Sequence, residues 1–293
     1  MHRITLKAAA VRLSGLLSEP PQGSPRAVVI ALHGGGMSAG YFDGQAHPDV
    51  SLLTLGASLG YTVLALDRPG YGTSAARLPD GQTLVEQAAE LSAAIERFTS
   101  RGATGGGVLV LGHSFGGKLA LTLAADKAPE GLLGLDISGC GHRLAVAPTE
   151  VHQSLGSANR RLNWGPLSLY PPDTFSAIQP VVAPVPPREV DAVGGWARLS
   201  AEILPRIRVP VRLTFAEHEA WWRHADEDLA DLTARLSAAP RAVMDRMSGA
   251  GHNISLGRAA RPYHLRAFAF LEECLAAPGR AADAEDRNVD VRR

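Results

Sequence analysis

Short apolar runs alternate with longer stretches of helical periodicity over most of the chain. RAVVIALHGGG (residues 26–36) is apolar and ends in glycines, SLLTLGASLG (51–60) is helix-like and stops at Gly60, and YTVLALDRPGYG (61–72) is apolar again. TLVEQAAELSAAIERFTS (83–100) then carries apolar residues at helical spacing, GGVLVLGHSFGG (106–117) returns to an apolar run, KLALTLAADKA (118–128) is helical and LLGLDISGCG (132–141) apolar. Near-continuous apolar strands separated by helices predict an α/β fold: a mostly parallel sheet covered by helices on both faces, built from right-handed βαβ units.

Residues 142–205 break the rhythm with scattered prolines, among them Pro171, Pro172, Pro186 and Pro187, and with Trp164, Tyr170 and Trp196. A stretch this long without the α/β pattern reads as an inserted cap or lid. The pattern resumes with VPVRLTFAEHE (209–219), a helix around DEDLADLTARLSAA (226–239), a strand around PRAVMDRMSGAGH (240–252) and the amphipathic YHLRAFAFLEECLAA (263–277). The expected organisation is a core formed by 1–141 and 206–277, a cap at 142–205, and a polar tail at 278–293 with too little apolar payload to fold.

Charge excludes some partners. Lys plus Arg and Asp plus Glu number 29 each, so no net field attracts nucleic acid or an anionic membrane surface. The two cysteines, Cys140 and Cys274, are too few for a disulfide framework and sit in no CxxC or zinc-like spacing, which predicts free thiols. Arg3, Lys7 and Arg12 interrupt any apolar h-region near the N-terminus, and no run approaches a membrane span, so the expected setting is cytoplasmic. Glu217, His218 and His224 match no standard metal-ligand spacing; neither a metal nor a cofactor is expected.

Ser114 is the centre of the candidate chemistry. Gly112-His113-Ser114-Phe115-Gly116 matches G-x-S-x-G at a strand-to-helix junction, where the tight turn strains the serine backbone and lifts its hydroxyl to the carboxyl edge of the sheet. A serine hydroxyl is a weak nucleophile at neutral pH, so a base must take its proton and a third group must orient that base. His252, in a glycine-bearing loop after the last strand, can reach across the rim; His113 is expected beneath the turn and His33 to pin the glycine loop. Glu219 is the leading acid, because its loop faces the same crevice and the order serine, acid, histidine fits. Asp136, one strand after the serine, is the alternative acid, and Glu217 a lesser one that instead orders a loop. The glycines at 34–36 allow the N–H groups of Gly35 and Gly36 to join that of Phe115 around a developing oxyanion. Asp67 reads as structural. Trp164, Tyr170, Trp196 and Trp222 are candidates for walls of a substrate pocket.

HGGG at 33–36, DRPGYG at 67–72, GHSFGG at 112–117, AEHE at 216–219 and GAGH at 249–252 together resemble the α/β-hydrolase superfamily over about residues 26–276, cap excepted. The resemblance implies an eight-stranded sheet, Ser114 as nucleophile, His252 as base, Glu219 as acid, and Gly35 and Phe115 as oxyanion donors. One departure stands in the acid loop, which in the family usually carries Gly and Asp where this chain has Ala216 and Glu219. A serine at 114 argues against the branches that attack with a carboxylate. The expected reaction is hydrolysis of a small-molecule ester, lactone or thioester through an acyl-serine; the alternatives are a lyase or cyclase using His252 as acid/base, and a binding protein on the same scaffold.

Overall fold

The computed structural model describes residues 1–147 and 160–277. The expected tail (278–293) and residues 148–159 of the expected cap lie outside the described residues.

Val28–Leu32 (β3), Thr62–Leu66 (β4), Val108–His113 (β5) and Leu132–Ser138 (β6) are buried at every position, as strands covered on both faces must be. Val211–His218 (β7) and Ala242–Gly251 (β8) complete the parallel part. His2–Lys7 (β1) and Arg12–Ser18 (β2) form an antiparallel hairpin whose second strand pairs antiparallel with β4. The resulting order is β1-β2-β4-β3-β5-β6-β7-β8. The apolar-run reading does not pick out the N-terminal hairpin: only one face of β2 is buried, so its signal is alternation and not a continuous run.

Two apolar layers sandwich the sheet. Leu84–Thr99 (α2) and Phe115–Asp126 (α3) share one buried cluster with Val28, Ile30 and Val110, while Leu52–Ser58 (α1) and Ala260–Leu275 (α8) share the other with Val29, Ala31 and Leu111. Successive strand residues therefore feed opposite layers, which pins the register. α2 starts in a capping box: the Glu86 N–H donates to Thr83 Oγ1 and the Thr83 N–H to Glu86 Oε2 at 2.7 Å.

Between β6 and β7 run Arg160–Trp164 (α4), Thr174–Ala177 (α5) and Pro187–Ile203 (α6), and Asp226–Arg235 (α7) lies between β7 and β8. α6 is fastened to the core at its first turn, where the Arg188 N–H donates to Asp80 O at 3.0 Å. Deeper in, the Glu189 carboxylate pairs with Arg68, and both side chains are buried.

Candidate active site

Ser114 joins β5 to α3 with φ 53° and ψ −115°, the sole positive φ outside glycine among the described residues. Such a backbone costs about 1–3 kcal/mol and persists where its surroundings enforce it. A Cβ on Gly116 would collide with the carbonyl oxygens of Leu32 and His33, so this residue has to be glycine for α3 to start against β3. The Gly117 N–H donates to Ser114 O at 2.9 Å, which locks the turn.

His252 follows β8 directly and reaches back over the rim. Its Nε2 lies 3.1 Å from Ser114 Oγ, and its Nδ1 lies 2.8 Å from Glu219 Oε2. With Glu219 ionised, Nδ1 carries the proton and the Nε2 lone pair faces the hydroxyl. The other Glu219 oxygen accepts the Trp221 N–H at 2.9 Å, so the carboxylate is held at both ends. Gly139 makes room for this imidazole: its φ is +59° and a Cβ there would stand 2.9 Å from His252 Cε1. A serine facing an imidazole oriented by a carboxylate can lose its proton as it attacks a carbonyl.

The structure brings Ser114, His252 and Glu219 together and sets Asp136 elsewhere. Asp136 Oδ2 accepts from Arg212 at 2.6 Å and Oδ1 from Tyr263 at 2.9 Å, on the strand beside β7. Burial raises the Asp136 pKa despite the opposing Arg212 charge. Its side chain is committed within the sheet, so the alternative acid assignment is withdrawn. Glu217 accepts the Gly249 N–H at 2.7 Å and fixes the end of β8 just before His252. The longer acid is accommodated by a register shift between β7 and β8 at Ala216/His218, after which the Glu219 N–H donates to Ala216 O. Glu217, His218 and His224 do not converge: His224 pairs through Nδ1 with Trp222 O and stacks on Phe215.

The backbone N–H groups of Gly35 and Phe115 have no acceptor among the described residues, and both residues line the cavity. Gly36 departs from expectation. Its N–H donates to Tyr71 Oη at 3.2 Å, which removes it from the set of free donors. Behind this loop sits Arg68, which the sequence reading passed over. Its Nε donates to His33 O at 2.7 Å, its Nη2 to Gly34 O at 3.2 Å and to Glu189 Oε2 at 3.0 Å, and its Nη1 to Gln87 Oε1 at 3.0 Å and to Glu189 Oε1. Tyr71 Oη also donates to Glu189 Oε2 at 2.7 Å, so the glycine loop and α6 share one buried network. His33 accepts the Arg68 N–H at Nε2, and burial reinforced by the Arg68 charge keeps the imidazole neutral. His113 is neutral for the same first reason, with His252 adding to the effect; it stacks on Tyr41 and meets Ser138 Oγ at 3.1 Å.

A cavity of about 340 Å³ opens over Ser114. Trp164 and Trp222 line it as expected from the sequence, joined by Trp221, Asn163 and the apolar segment 182–185. Tyr170 and Trp196 do not. Tyr170 is buried behind Trp164, donating to its carbonyl at 2.9 Å, and Trp196 donates to Gly141 O at 2.7 Å, because each aromatic polar tip finds its acceptor in the interior.

A model of the alpha/beta hydrolase family matches residues 29–263. The chain belongs to that family. As an alpha/beta hydrolase it is an enzyme with the eight-stranded, mostly parallel sheet described above. Among curated proteins none matches by sequence. Among solved structures, this hydrolase is similar to a highly thermostable carboxyl esterase from Bacillus coagulans at 14% identity and TM-score 0.70, covering 94% of this chain and 99% of that one. It is also similar to a thermophilic esterase from Thermogutta terrifontis at 18% identity and TM-score 0.59, covering 94% and 100%. A thioesterase domain from the curacin biosynthetic pathway matches at 19% identity and TM-score 0.59, covering 90% and 98%. Identities this low establish a common fold and leave the chemistry to the site. No helix among the described residues is long and apolar enough to cross a membrane.

Proposed function

We propose that this hydrolase cleaves a small carboxylic ester, thioester or lactone through an acyl-serine intermediate. Ser114 Oγ attacks the acyl carbon while His252 Nε2 takes its proton, Glu219 holds the imidazole and stabilises its positive charge, and the Gly35 and Phe115 N–H groups receive the carbonyl oxygen as it becomes an oxyanion. The tetrahedral adduct expels the alcohol or thiol, which leaves with the proton from His252. Water then gives a proton to His252 as it attacks the acyl-serine, and the second collapse returns that proton to Ser114 Oγ and frees the acid. The described residues of the expected cap, among them Asn163, Trp164 and 182–185, wall the acyl cavity.

The observation that carries this reading is the unbroken chain from Glu219 Oε2 through His252 to Ser114 Oγ, 2.8 and 3.1 Å long in its two links, beneath a mainly apolar cavity. The purified protein is expected to release p-nitrophenol from a short-chain ester and to be labelled at Ser114 by a fluorophosphonate. Ser114→Ala should abolish labelling and lower kcat/KM by roughly 10³–10⁶-fold. Turnover that survives in Ser114→Ala would instead assign the chemistry to His252 acting as a plain acid/base.

A further inference from the structure

Lys118 is an anomaly in α3. It lies four residues after Ser114, is the one charged residue between Phe115 and Ala125, is 3% exposed, and lines the cavity over Ser114. Its ammonium makes no hydrogen bond or ion pair with any described residue. Three aromatic rings surround it instead, with Nζ 5.2 Å from the Trp222 centroid, 5.5 Å from Trp196 and 5.6 Å from Phe115.

Two groups could have neutralised it, and neither does. Both Glu189 oxygens are taken by Arg68, Tyr71 and Gln87. The Cys140 thiol is pushed up to about 12 by burial, against the pull of Lys118, and stays neutral. The imidazole of His113 is neutral as well. A buried ammonium without a counter-charge is costly, and a protein that keeps one at a cavity wall gains from it when a ligand supplies the missing charge.

Resting on the hydrolase reading above, we infer that Lys118 is a specificity residue that receives a carboxylate at the far end of the substrate's acyl group, so that the preferred substrates are hemiesters or hemithioesters of short dicarboxylic acids. The acyl group is short because Ser114 and Lys118 line the same cavity of only about 340 Å³, at the small end of ligand pockets. The rings of Trp222, Trp196 and Phe115 keep water from the ammonium, which strengthens its pairing with an incoming carboxylate. An alkyl acyl group with the same number of carbons has no charge at the far end and serves as the control.

The test compares monomethyl succinate and monomethyl glutarate with methyl butanoate and methyl pentanoate by proton release, in wild type and in Lys118→Met. Wild type is expected to favour one hemiester over its neutral counterpart at least tenfold in kcat/KM. Lys118→Met should reduce that ratio at least tenfold, chiefly through KM. The ratio is taken within one preparation, so the folded fraction of the variant cancels. A wild-type ratio near one, or a preference that survives Lys118→Met, overturns the assignment while leaving the hydrolase reading intact. No turnover of either ester class, together with no fluorophosphonate labelling, takes both down.

Discussion

Arg68 and Lys118 both lie against the Phe115 ring, at 4.7 and 5.6 Å, and both are more than nine-tenths buried. Around Arg68 the interior is closed: two carbonyls, a glutamine and a bidentate carboxylate answer its guanidinium. Burial alone would lower its pKa, yet Glu189 and Tyr71 outweigh that and the net shift is upward. Around Lys118 only rings answer, so burial prevails over the weaker pull of Cys140 and Glu189 and the pKa falls to about 8. An interior charge is thus held in two ways here, either completed by the fold or left at a cavity wall for a ligand to complete.

The closed cation offers the largest way to break this contrast. Glu189→Ala leaves the Arg68 guanidinium buried without its carboxylate, and removing one partner of such a pair costs about 3–5 kcal/mol. The urea midpoint should fall accordingly, and kcat should fall with it as the Gly34–Gly36 loop loses its support; an unchanged midpoint would show that Arg68 needs no carboxylate. Lys118→Met is the converse experiment. Removing a charge that the fold does not complete should stabilise the protein by on the order of 1–3 kcal/mol at neutral pH.

That gain has a defined pH dependence. Below about pH 8 the lysine is protonated in both folded and unfolded chains, and wild type carries the full penalty. Between about 8 and 10.5 the unfolded chain keeps a proton that the folded chain has released, so the penalty fades with rising pH. The difference in unfolding free energy between Lys118→Met and wild type should therefore be greatest below pH 8 and shrink towards pH 10.5. A difference independent of pH would mean that the substitution acts through packing alone. The smallest effect is expected for Tyr71→Phe, which deletes the hydroxyl between the Gly36 N–H and Glu189 and should cost about 1 kcal/mol in the same unfolding measurement.

Legibility from the sequence tracks the range of the interaction. The four strands β3 to β6 showed as apolar runs because burial on both faces writes a continuous signal, whereas the β1–β2 hairpin wrote an alternating one. Ser114 was legible because glycines and a strand-to-helix junction constrain its own neighbourhood. The choice between Glu219, ranked first from the sequence, and Asp136 was less legible, since both come after the serine in the chain; the contact of Asp136, inside β6, with Arg212 on the paired β7 is what separates them. Arg68 and Glu189 are 121 positions apart, and no local pattern announces such a pair. Lys118 did leave a trace, as the one charge between Phe115 and Ala125, but without the cavity a lone lysine in an apolar helix has no meaning.

The chain alone determined the layered α/β architecture and the turn that presents Ser114, because hydrophobic period and glycine placement act within a few neighbouring residues. Which carboxylate meets the imidazole, which tryptophans face the cavity, which glycine N–H is spent on a tyrosine, and which buried cation lacks a partner were decided only when distant segments met. Those are properties of side chains competing for the same few polar atoms, and that competition exists only in the packed molecule.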